Sequence, residues 1–226
     1  MSEEIQPLVF LFDVDNTLLD NDRITRDLAD HLQQEFGVVS RDRYFAIFEE
    51  LRQELGYADY LGALQRYRIE HPREVKLLRM SSYLIDYPFV DRLYPQALEA
   101  VKHCRRWGTT AILSDGDVVF QPRKVERSGI SDAVEKQVLI YIHKEETLDD
   151  VERRYPAEHY VFVDDKPRLT AAIKKYWGDK VTTIMPRQGH YALDQKSLAQ
   201  YPPADIVIDR IGDLVKYDRS ALIKGG

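Results

Sequence analysis

The sequence predicts an α/β protein, a doubly wound parallel sheet with an inserted α-helical cap. Short apolar runs of strand length recur at Leu8–Phe12, Thr109–Leu113, Val138–Ile142, Tyr160–Val163, Val181–Met185 and Ala204–Ile208. From residue 93 onward helical segments alternate with these runs, and strands returned by a crossover helix pair in parallel. Residues 23–88, by contrast, carry only helical periodicity. The chain therefore divides into an α/β core of residues 1–22 and 89–226 and a helical cap of residues 23–88.

Leu8–Phe12 is continuously apolar, as a strand buried on both faces is. Thr25 is expected to cap the first cap helix, which carries Leu28, Leu32 and Phe36 and stops at Gly37. A second helix begins near Ser40–Asp42, carries Tyr44, Phe48, Leu51 and Leu55, and stops at Gly56. A third places Tyr57, Leu61 and Leu64 on one face and ends before Pro72; a fourth runs from about Arg73 to Asp86, ahead of Pro88. The aromatics Tyr44, Phe45, Phe48, Tyr57, Tyr60 and Tyr67 are expected in the core of this bundle rather than along a pocket. Beyond it, Pro95 and Gln96 open a helix that Gly108 ends, and further helices lie around Pro122–Ser128, Leu148–Tyr155, Thr170–Trp177 and Ile211–Tyr217.

With 226 residues, 44% of them hydrophobic and 31% charged, the chain can bury a sizeable core. Its formal net charge of -6 excludes a general nucleic-acid binder, though not one phosphorylated small molecule in a locally positive pocket. Cys104 is the only cysteine, which excludes an intrachain disulfide and a cysteine zinc site; a packed thiol is expected. The six histidines show no close pair at metal-ligand spacing. No apolar stretch approaches the ~20 residues of a membrane span. The acidic start MSEEIQP is unlike a signal peptide, so a cytoplasmic protein is expected.

Polar residues follow four of the strands directly. Asp13, Asp15 and Thr17 follow the first, Ser114 and Asp115 the second, Lys144 the third, and Asp164 and Asp165 the fourth. A parallel sheet brings such strand ends to one edge, where its ligands bind. On the pleat, Asp13 and Asp15 point the same way. Carboxylates so close repel each other unless a cation shares the site. Asp13 with one of Asp164 and Asp165 suits Mg²⁺, a hard cation that takes few carboxylates and keeps waters and a phosphate oxygen. Lys144 adds an ammonium at a strand terminus; Lys136 and Lys166 are the other lysines near this edge. With charge balanced, Asp13 is placed to attack phosphorus and Asp15 to serve as acid and then base. The Thr17 and Ser114 hydroxyls are candidates to hold phosphoryl oxygens, and Arg123 and Lys124, after the second of these strand ends, either meet a substrate anion or take a surface role at a helix start.

In these residues the sequence resembles the haloacid dehalogenase-like (HAD) superfamily, over nearly the whole chain. Phe12-Asp13-Val14-Asp15-Asn16-Thr17-Leu18 is similar to its first motif, Ile112-Leu113-Ser114-Asp115-Gly116 to its second, Lys144 to its third and Val161-Phe162-Val163-Asp164-Asp165 to its fourth. The resemblance implies a Rossmann-like core, Asp13 as nucleophile and Asp15 as acid/base. It also implies phosphate binding by Ser114, Asp115 and Lys144, and Mg²⁺ held by Asp13, the Asp15 carbonyl and Asp164, with Asp165 near the metal. Residues 23–88 resemble the type 1 cap. Haloacid dehalogenases typically lack an aspartate at the position of Asp15, because a departing halide needs no proton. A phosphatase acting on a small phosphorylated metabolite is therefore expected ahead of dehalogenation; a sugar phosphomutase keeps both aspartates. A phospho-acceptor receiver domain is about half this length and has no helical insertion.

Overall fold

The computed structural model describes residues 5–223. Its strands are β1 (Val9–Phe12), β2 (Thr109–Asp115), β3 (Val138–Tyr141), β4 (Tyr160–Val163), β5 (Val181–Pro186) and β6 (Ile206–Ile208). They form one parallel sheet in the order β3-β2-β1-β4-β5-β6. The expected α/β parallel architecture is thus the observed one. β1 lies between β2 and β4, so the chain builds outward on one side and then crosses back, leaving a crevice at the carboxyl ends.

Residues of β1 alternate between two cores, as the pleat requires. Phe10 and Phe12 pack with helices on one face, Val9 and Leu11 with Leu148, Val151, Leu169 and Ile173 on the other. Between β1 and β2 run α1 (Asn21–Phe36), α2 (Val38–Leu55), α3 (Tyr60–Glu70) and α4 (Leu77–Asp86). Their buried stripes belong to the Phe10 core. Thereafter come α5 (Ala97–Cys104), α6 (Phe120–Arg127), α7 (Ile130–Ala133), α8 (Leu148–Arg154) and α9 (Pro167–Trp177). Rings of Phe48, Tyr60 and Phe120, at centroid spacings of 4.6 and 5.1 Å, join α2 and α3 to α6. No helix among the described residues is long and apolar enough to cross a membrane.

Several local expectations are corrected. Thr25 lies inside α1, where its hydroxyl donates to the Asn21 carbonyl; Asp20 is the cap, accepting the Arg23 N–H at 2.8 Å. A carboxylate there also meets the positive end of the helix dipole. Helix α3 starts at Tyr60, capped by Asp59, so its buried face is Tyr60, Ala63, Leu64 and Tyr67 and excludes Tyr57. Ile211–Lys216 forms 3-10 rather than α-helical turns. Lys136 precedes β3 and so lies at the end of the sheet opposite Lys144.

Gly108 marks a close approach of two backbones, because a Cβ there would meet the Leu8 carbonyl oxygen at 2.2 Å. Gly108→Ala is expected to lower the unfolding free energy by about 1–3 kcal/mol, an overpacking cost, measured by urea titration. Burial pushes the Cys104 thiol up to about 12. A disulfide reagent should label the thiol only after denaturant is added, and prompt labelling of native protein would contradict this packing.

Candidate active site

The carboxyl edge of the sheet assembles the site because each reactive residue lies at, or within three residues beyond, the carboxyl end of a strand. Asp13 succeeds β1, and its N–H still donates to the Val163 carbonyl at 2.9 Å, which continues the ladder onto β4. Asp164 and Asp165 succeed β4, Lys144 closes the turn after β3, and Ser114 and Asp115 are the last residues of β2. Asp13, Ser114, Lys144, Asp164 and Asp165 are all buried.

One carboxylate oxygen from each of Asp13, Asp164 and Asp165 lies within 4.8 Å of the others. The Lys144 ammonium is 2.6 Å from Asp13 Oδ1 and 2.6 Å from Asp164 Oδ2, and donates to the Leu113 carbonyl at 3.1 Å. Burial lowers the Lys144 pKa, but Asp13 and Asp164 more than offset it, so the group stays protonated well above the ordinary lysine range. Lys166, under the same opposition of burial and carboxylates, is also raised. Burial raises the Asp164 carboxyl, against Lys144, and burial together with Asp164 raises Asp165 further.

Three carboxyl groups thus share the site with the Lys144 and Lys166 ammonium groups. Asp13 Oδ2 and both Asp165 oxygens are buried without a hydrogen-bond partner. Such orphaned acceptors are costly in a dry site. An all-oxygen donor set of this kind fits a hard divalent cation such as Mg²⁺.

Asp15 is held elsewhere. β1 ends at Phe12, and residues 14–19 form a turn in which the Leu18 and Leu19 N–H groups donate to the Val14 carbonyl. The pleat therefore does not carry through to Asp15, and its carboxylate accepts from Lys124 at 2.7 Å, outside the acidic cluster. The Thr17 hydroxyl accepts the Asp165 N–H at 3.0 Å, tying the first loop to the β4 loop. Ser114 Oγ lies 3.5 Å from Asp13 Oδ1 and takes a hydrogen bond from Gln121 at 3.0 Å. Asp115 accepts the Lys144 N–H at 2.8 Å and so fixes the backbone that carries the lysine.

Of the two roles open to Lys124, the surface one is excluded, because the residue is buried. The signal was present, since Phe120, Gln121, Lys124 and Val125 share the buried face of α6 at helical spacing. His190 and Tyr191, from the segment after β5, also reach the site, and no periodicity marks them. A cavity of about 690 Å³ opens above Asp15, walled by α1–α3 on one side and by Lys166, His190 and Tyr191 on the other.

A family model described as haloacid dehalogenase-like hydrolase matches residues 8–175. A haloacid dehalogenase-like hydrolase from Burkholderia xenovorans LB400 is 63% identical, with a TM-score of 0.89 over 93% of this chain and 98% of that one. The L-2-haloacid dehalogenase of Xanthobacter autotrophicus, solved with chloropropionic acid covalently bound, is 20% identical, with a TM-score of 0.57 over 92% and 96%. YfnB of Bacillus subtilis, a HAD-hydrolase solved with magnesium, is 14% identical, with a TM-score of 0.62 over 94% and 98%. Among curated proteins no relative matches.

Removing Lys144 takes from the buried Asp13 and Asp164 carboxylates the ammonium that pairs them. Lys144→Met is expected to lose about 3–5 kcal/mol of stability, the cost of breaking a buried pair. Millimolar Mg²⁺ should restore more stability to this variant than to the parent, as read by melting curves with and without the ion.

Proposed function

This chain belongs to the haloacid dehalogenase-like hydrolases, and we propose that it is a Mg²⁺-dependent phosphohydrolase that cleaves a small-molecule phosphate monoester through an aspartyl-phosphate. The observation that carries this reading is the Asp15 carboxylate, which lines the cavity beside the Asp13 site with a lysine of its own. An alkoxide leaving group needs a proton, and a halide does not.

An Asp13 oxygen attacks phosphorus, the ester P–O bond breaks, and its electron pair stays on the alcohol oxygen, which takes a proton from Asp15. Water then attacks phosphorus, returns a proton to Asp15 and releases inorganic phosphate, restoring Asp13. Lys144 and Ser114, which both approach Asp13 Oδ1, and the Thr17 hydroxyl would supply the donors to the phosphoryl oxygens. Asp13, the Asp15 carbonyl, Asp164 and Asp165 would hold Mg²⁺, which when bound supplies positive charge against the carboxylates and the transferring group. Residues 23–88 act as a cap over the core of residues 1–22 and 89–226, and close the cavity to water during attack.

Phosphate release from p-nitrophenyl phosphate and a panel of phosphorylated metabolites tests the assignment. Activity is expected to need Mg²⁺ and to fall on the order of 10³-fold or more in Asp13→Asn. Chloride release from 2-chloropropionate, with no phosphate release from any ester, would instead establish carbon–halogen hydrolysis.

A further inference from the structure

Lys124 is a lysine almost wholly removed from water, its side chain 1% exposed. Its ammonium has two acceptors, Asp15 Oδ1 at 2.7 Å and Asn21 Oδ1 at 3.0 Å, and it lies 5.2 Å from the centroid of the Phe120 ring. Burying an ammonium is costly unless it is well paired. The rest of the buried face of α6 is Phe120, Gln121 and Val125, uncharged side chains, so packing alone does not account for a charge here.

Its neighbours hold it in one place. Asn21 also donates to the Tyr60 hydroxyl at 3.4 Å, which shares a 2.9 Å hydrogen bond with Thr25. Lys124 is thereby fixed from α1 and α3 as well as from its own helix. Asp15 Oδ2, by contrast, has no hydrogen-bond partner among the described residues, and Asp15 lines the cavity.

We propose that Lys124, seated on Asn21, is the positioning residue for Asp15. It grips one carboxylate oxygen and leaves the other for the proton of the hydrolytic water. This inference rests on the phosphohydrolase reading. Loss of the grip slows both proton transfers, but an aryl oxide departs without help, so with p-nitrophenyl phosphate only hydrolysis of the acyl-phosphate suffers.

Stopped-flow release of p-nitrophenol from the Mg²⁺-loaded enzyme reads this directly. Lys124→Met should give a burst approaching one equivalent of enzyme, then a steady rate about 10- to 100-fold below the parent, the loss expected of a misplaced acid/base. Lys124→Arg should recover much of that rate. Asn21→Ala, which keeps the lysine, should show the same burst with a smaller loss, and it decides the matter if the methionine variant does not fold. A steady rate within about twofold of the parent in the folded variants overturns the inference, as does a rate lost without a burst. A parent enzyme that releases halide and no phosphate overturns the phosphohydrolase reading, and this inference with it.

Discussion

Three acidic side chains share a pocket from which water is excluded, and the Lys144 ammonium, equidistant from Asp13 and Asp164 at 2.6 Å, makes that arrangement tolerable. Coulomb repulsion between unscreened carboxylates is severe at such range, because little solvent remains to damp it. The sheet order follows from this need. β1 and β4 must be neighbours for Asp13 and Asp164 to meet, and β3 must deliver its lysine across β2. Asp115 serves the same end from β2, by holding the main chain of Lys144.

Much of this was legible because the reactive residues sit where apolar runs stop. In a parallel sheet the end of a strand is a place in space as well as in sequence, so Asp13, Ser114, Lys144 and Asp164 announce a common edge. The reading failed where side-chain direction depends on a turn instead of a pleat. Asp15 lies beyond the last residue of β1 and turns to Lys124, which alternation along a strand does not foresee. For Lys124 the helical phase of α6, which puts it beside Phe120, Gln121 and Val125, decides between a surface role and a place at the site. The placement of His190 depends on Gly189, at φ +68, whose missing side chain lets the segment press against Asn16; neither residue signals the other in sequence.

Asn16 occupies a position where the resembling family more often has glycine. Its φ of 61 explains both choices, since asparagine enters the left-handed region more readily than other residues with a side chain. The amide is also used: it donates to Asp22 at 3.0 Å, and Asp22 in turn accepts from the His190 N–H at 2.9 Å. Burial raises the Asp22 carboxyl, but these partners together hold it below the usual carboxylate range. The first loop is thereby stitched to the segment after β5, and the cavity wall on that side is fixed by the same residues that shape the loop.

The contacts at the sheet edge join residues very distant along the chain: Asp13 and Lys144 are 131 positions apart, Thr17 and Asp165 148. Closing such loops costs entropy before any bond forms. Helices α1–α4 can gather locally, whereas the acidic centre appears only when β1, β3 and β4 have docked. A nascent or partly unfolded chain therefore lacks the assembled acidic centre, whose presence reports on the docking of β1 to β4.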